Sequence, residues 1–180
     1  MSRKRTIGLS LGGLLVVLLV AALPVFQPWL LLVDDEVHES DDPSRVVGTA
    51  SAGLSDTAVP SASGTARTRV ALASAAFVDA EHGTTGRATV YRRSDGSRFL
   101  RLDDLDTSNG PDLHVWLTDQ PSGGSWGSYD DGRYVRLGPL KGNRGSQSYE
   151  IPGRADLRPM RSVVIWCDRF NVAFGTAAIG

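Results

Sequence analysis

The chain is 180 residues long, carries a formal net charge of −1 and contains a single cysteine, Cys167. That length holds about one domain plus attachments, and a balanced charge lacks the basic field that nucleic-acid binding needs, so that partner is set aside. One cysteine allows no intrachain disulfide, so core packing alone must hold the fold, and the lack of any CxxC or CxxCH pattern excludes covalent c-type haem and thioredoxin-like chemistry.

Arg3, Lys4 and Arg5 precede a run, residues 6–33, without a charged side chain. A helix needs about 20 apolar residues to cross roughly 30 Å of hydrocarbon. Residues 7–26 meet that requirement, with Pro24 near the outer end and Pro28 and Trp29 as an interfacial collar. The basic cluster stays inside under the positive-inside rule, so residues 1–6 form a cytoplasmic tail and the C-terminal part faces out. A cleaved signal peptide would have an apolar region of about 7–15 residues ending in a small-x-small site. Here the run is longer, and Leu30, Leu31 and Leu32 follow the candidate site near Ala21 and Ala22. Residues 7–33 are therefore read as an uncleaved transmembrane signal anchor in the plasma membrane, single-pass, with an extracellular C-terminal domain.

Residues 34–42 are acidic and 49–68 are mostly Ser, Ala, Gly and Thr. Such composition buries too little apolar surface to offset its ordering entropy. Residues 34–69 are read as a flexible linker, reaching roughly 30–35 Å from about 5–6 Å times the square root of its length.

From residue 70 to the end, acids and bases balance and the pattern is that of strands. Residues 86–93 and 98–103 flank Ser94-Asp95-Gly96-Ser97, a hairpin signal. After the Ser108–Asp112 turn, residues 113–118 place Leu113, Val115 and Leu117 on one face and His114 and Trp116, with Asp112, on the other. Residues 134–140 and 146–151 read as strand, loop, strand; 162–167 is a continuous β-former run; 170–179 gives the last strand. A short helix is expected near 155–160, limited by Pro159. Turn signals at this spacing, without a long 3.6-residue period, predict an all-β fold: a single antiparallel β-sandwich or barrel-like domain over 70–180, preceded by the transmembrane helix and linker.

Cys167 shares a strand face with Val163 and Ile165, while Val164 and Trp166 share the other. Two apolar faces predict a central strand. Cysteine is among the most often buried residues, which makes an inert core thiol one reading. Its position at the end of the apolar run, before Asp168 and Arg169, makes a strand-tip thiol the other. A free thiol has a pKa of about 8.5; an adjacent guanidinium at Arg169 would lower it, whereas burial and Asp168 would raise it.

His114 is read either as a hydrogen-bonded surface histidine or as a second ligand beside Cys167. His82 lies in a Gly-rich turn and His38 in the linker. Blue-copper sites place a His and a Met soon after the Cys; neither follows Cys167, so copper is not expected and no metal is assigned. Asp103, Asp104 and Asp106 are hard-cation donor types but lack an EF-hand pattern. No Gly-rich loop precedes a helix, so nucleotide binding has no support. Trp126 and Tyr129 lie in the 121–133 loop, read as an ordinary hairpin loop or a contact surface.

Three motifs together resemble the DM-thirteen domain: TSNGPDLHVWL at 107–117, LGPLKGNRGSQSYEIP at 137–152 and SVVIWCDRFNVAFGTAAI at 162–179. The likeness covers about residues 74–179. It implies an extracytoplasmic β-domain built around one cysteine, matching Cys167, with a redox role as a naked thiol or as a ligand to a prosthetic group such as haem. On this basis the expected function is membrane-tethered electron transfer through Cys167, with His114 as a candidate cofactor contact and an extracytoplasmic redox protein as partner. The alternative is a non-catalytic adhesion or ligand-binding module with a structural core cysteine.

Overall fold

A computed structural model describes residues 33–39 and 69–180. The expected anchor lies outside the described residues except at Val33, as does most of the expected linker. No helix among the described residues is long and apolar enough to cross a membrane.

The described chain is all-β. Its strands are β1 (Glu36–His38), β2 (Arg69–Ala76), β3 (Val78–Asp79), β4 (Thr84–Arg93), β5 (Arg98–Thr107), β6 (Leu113–Thr118), β7 (Tyr134–Pro139), β8 (Arg144–Ile151), β9 (Ser162–Cys167) and β10 (Val172–Ala178). They form two five-stranded sheets, ordered β1-β8-β5-β4-β2 and β3-β10-β9-β6-β7, packed as a sandwich. The second sheet is antiparallel throughout, and so is the first apart from β1, which pairs parallel with β8. The expectation of a purely antiparallel sandwich is corrected at that one strand, which falls inside the segment read as linker. The expected helix near residue 155 is replaced by turns, in which the Ala155 amide donates to the Pro152 carbonyl at 2.8 Å and that of Met160 to Leu157 at 3.0 Å. Pro159 has no amide to extend them.

Strand alternation builds the core. β9 and β6 are both central, and each sends one row of side chains between the sheets: Val163, Ile165 and Cys167 from β9, Leu113, Val115 and Leu117 from β6. Leu100, Leu102 and Leu105 of β5, with Tyr149 and Ile151 of β8, meet them from the facing sheet. The outer face of the second sheet carries a smaller cluster of Trp116, Val164, Trp166 and Ala173, roofed by Tyr129 of the β6–β7 connection. Its lid is fixed by Gly124 donating to the Tyr129 hydroxyl at 2.8 Å and by Ala173 donating to the Trp126 carbonyl at 2.8 Å. The loop is thus a second, small core, with Trp126 left exposed. The outer face of the first sheet is covered by arginine and aromatic layers: Arg93 lies over Phe99 at 4.3 Å and grips Glu150 through both nitrogens, at 2.7 and 3.0 Å.

Candidate functional site

The register brings the sequence-selected residues to one end of the second sheet. Leu113 of β6 and Val172 of β10 flank Cys167 at the C-terminal end of β9. Its side chain has no exposed surface. The chain closes around it: Asp168 donates its amide to the Asp112 carbonyl at 3.0 Å, and Asn171, at a positive φ of 55°, donates to the Cys167 carbonyl at 2.9 Å. Burial pushes the thiol pKa up, opposed by the backbone N–H groups of Phe170, Arg169 and Asp112 directed at the sulfur, while the Asp112 carboxylate adds to the rise. Arg169, weighed from sequence as a guanidinium, acts here through its amide, and the opposing carboxylate is that of Asp112 rather than Asp168.

His114 pairs with Trp166, one position from the Leu113–Cys167 pair. Neighbouring pairs point to opposite faces. The structure therefore places His114 outside and Cys167 inside, and does not bring the two to one centre. His114 instead meets Asp112 at 3.0 Å and Asp168 at 3.5 Å, and Asp168 accepts from Arg136 of β7 at 2.6 Å. The ligand-type atoms of Asp112, His114 and Asp168 lie within 4.8 Å of one another. With the Arg136 guanidinium already on Asp168, this is a polar network in which a cation would have to displace a cation. His82 packs against Phe174 with ring centroids 4.1 Å apart, and His38 meets Glu36 at 2.9 Å. Of the three acids considered for calcium, Asp103 binds Arg101 at 2.8 Å and Asp106 binds Arg144 at 3.3 Å.

Beside this network runs a line of aromatic rings. Trp166 and Trp116 are diagonal neighbours with centroids 4.9 Å apart, and Trp116 and Tyr134 stack at 4.5 Å, 11° from parallel. The Arg136 guanidinium lies 4.6 Å from the Trp116 ring. The buried Trp116 Nε1 has no hydrogen-bond partner among the described residues. The sequence shows the face on which each tryptophan lies, but their stacking depends on the β6–β9 register, which it does not show. Arg136 carried no signal at all.

Haem ligation does not fit this setting. An axial thiolate presents its sulfur to the face of a porphyrin, whereas Cys167 has no exposed surface and belongs to the packed inter-sheet core. A groove lined by Arg133, Arg136, Arg154, Asp156 and Met160 opens toward the other end of the sandwich.

A protein-family model described as Electron transfer DM13 matches residues 76–179. No curated protein and no solved structure matches the chain.

Proposed function

The chain belongs to the electron transfer DM13 family, and from that premise we propose that it is a membrane-tethered, extracytoplasmic electron-transfer module whose redox-active atom is the Cys167 sulfur. The observation that carries the proposal is the donor set around that sulfur: three backbone N–H groups converge on an atom otherwise enclosed by core. A cysteine that only fills space behaves as a small hydrophobe and needs no such donors. Converging N–H groups stabilise the reduced sulfur, which sets a high potential for the couple and calls for a strong one-electron oxidant. Burial still keeps the resting group a neutral thiol, so losing an electron is coupled to losing the S–H proton. The tether is supported by the charge-free run at 6–33 behind Arg3, Lys4 and Arg5. The partner is an extracytoplasmic redox protein that exchanges single electrons with the domain, since a sealed sulfur offers no surface for disulfide exchange.

The full chain in detergent, mixed with hexachloroiridate(IV) and freeze-quenched for electron paramagnetic resonance, tests this. Each bleached iridium counts one electron, and thiol titration after unfolding counts surviving Cys167. The native protein should lose its thiol and give a sulfur-centred radical signal, and Cys167→Ser should consume fewer electrons and give no such signal. A native protein that keeps its full thiol content would defeat the proposal. That outcome would favour a second reading, a non-catalytic binding module with a structural cysteine, which the complete burial of Cys167 supports.

A further inference from the structure

We propose that Trp166, Trp116 and Tyr134 form an aromatic relay that carries an electron from Cys167 to an anionic, strong one-electron oxidant arriving at the β7 surface. The inference rests on the redox reading of Cys167 and supplies its missing route. Cys167 touches no solvent, whereas Tyr134 is 41% exposed. Trp166 precedes Cys167 in the chain, one Cα–Cα step of about 3.8 Å away. From Trp166 the rings continue at centroid spacings of 4.9 and 4.5 Å to Tyr134. The path therefore crosses the β9 backbone once, because Cys167 faces inward and Trp166 outward, and continues from Trp166 to Tyr134 by ring-to-ring contact.

Two details separate this line from ordinary outer-face packing. Buried indole N–H groups usually find an acceptor, yet Trp116 Nε1 has none among the described residues. An oxidised indole loses its proton through that N–H, so an indole without an acceptor keeps its proton and passes the positive charge on. The Arg136 guanidinium over Trp116 opposes a positive ring, but Asp168 neutralises it at 2.6 Å. The second detail is the exit. Tyr134 lines a groove with Arg133, Arg136 and Arg154. Asp156 in the same groove is held by Arg158 at 2.9 Å. With Arg136 already held by Asp168, the positive charge of Arg133 and Arg154 suits an anionic oxidant.

In the step itself one electron leaves the Cys167 thiol, the S–H bond breaks, and the proton is released to water. The electron crosses Trp166, Trp116 and Tyr134 and reduces the oxidant by one. The thiyl radical left behind returns to thiol with one electron from an ascorbate-type donor and one proton.

The test follows thiol loss under hexachloroiridate(IV), an anion of the required class, by stopped flow. The full chain carries Trp29→Phe and Trp126→Phe, leaving Trp116 and Trp166 as its remaining indoles. Trp116→Phe should slow Cys167 oxidation by an order of magnitude or more. Tyr134→Leu, which leaves the core intact, should slow it several-fold. With Cys167→Ser, the visible absorbance of the indole radical should persist instead of decaying. Thiol loss at an unchanged rate in both Trp116→Phe and Tyr134→Leu would overturn the relay while leaving the redox cysteine standing. Survival of the thiol in the parent protein would remove the redox reading itself.

Discussion

At Cys167 the surroundings favour the protonated sulfur, and this has a consequence for stability. Its pKa in the folded protein is raised by burial above the value of about 8.5 that an unfolded chain has. Above that pH the unfolded state has released a proton that the folded state still holds. Stability then falls as pH rises, because the slope follows the protons bound unfolded minus those bound folded. Tyr149 is also raised by burial, but its unfolded value is about 10, so its own loss begins higher. Urea unfolding between about pH 8.5 and 10 should show declining stability in the native protein. In Cys167→Ser the decline across this window should be largely absent, since serine does not titrate there. An equal decline in both proteins would mean that the thiol is not held neutral.

Among the strands, the join between β4 and β5 depends on one glycine. Gly86 has a φ of +111°, sits where the register shifts, and a Cβ there would come within 2.7 Å of the Asp104 carbonyl oxygen. The one extra residue bends β5 so that Leu105 rejoins the core after Leu102. Gly86→Ala combines a disfavoured backbone with a collision against main chain, so it should cost about 1–3 kcal/mol or more. A lowered urea midpoint at constant m-value would register it, and an unchanged midpoint would show that the bulge can relax.

Strands of this kind divide the sequence into what can be read and what cannot. β6 and β9 were legible to the residue, because bulky β-formers alternate between two buried faces and stop at Asp112, Asp119 and Asp168. The same alternation grouped Cys167 with Val163 and Ile165, but with both faces apolar it did not say which face turns inward. β2 was not legible, since Ala71, Ala73, Ala75 and Ala76 suit a strand no better than a linker. The polar half of the site was only partly legible. Asp112 and His114 are two residues apart and share a face by local geometry, whereas Asp168 and Arg136 reach them only through pairing across three strands. Sequence spacing holds no record of that register.

For the molecule as a whole, β1 fastens the N-terminal segment to the first sheet. Asn143 receives the Asp35 amide at 2.7 Å and donates to Asp34 at 2.8 Å, and Lys141 and Arg144 pair with Glu39 and Asp34. Gly142 and Gly145 make this possible, because a Cβ on either would strike Asp35 or Val37. Gly145 also has a φ of +93°. Gly145→Ala should therefore loosen β1 from β8, and limited proteolysis should cut residues 33–39 sooner than in the native chain. Cleavage at the native rate would mean that this pairing does not hold the segment.

The grip at β1 also sets which way up the domain stands. Asn109, in the loop that leads to Asp112, donates to the Val33 carbonyl at 2.9 Å, so Val33 sits at the end of the sandwich where Asp112 joins the residue after Cys167. Tyr134 pairs with Thr118 at the opposite end of β6. With residues 7–33 in a bilayer as proposed, the thiol pole would rest near the lipid headgroups and the phenol pole would point away from them. The row of rings would then stand upright like a short wire, its foot toward the membrane and its tip open to passing oxidants.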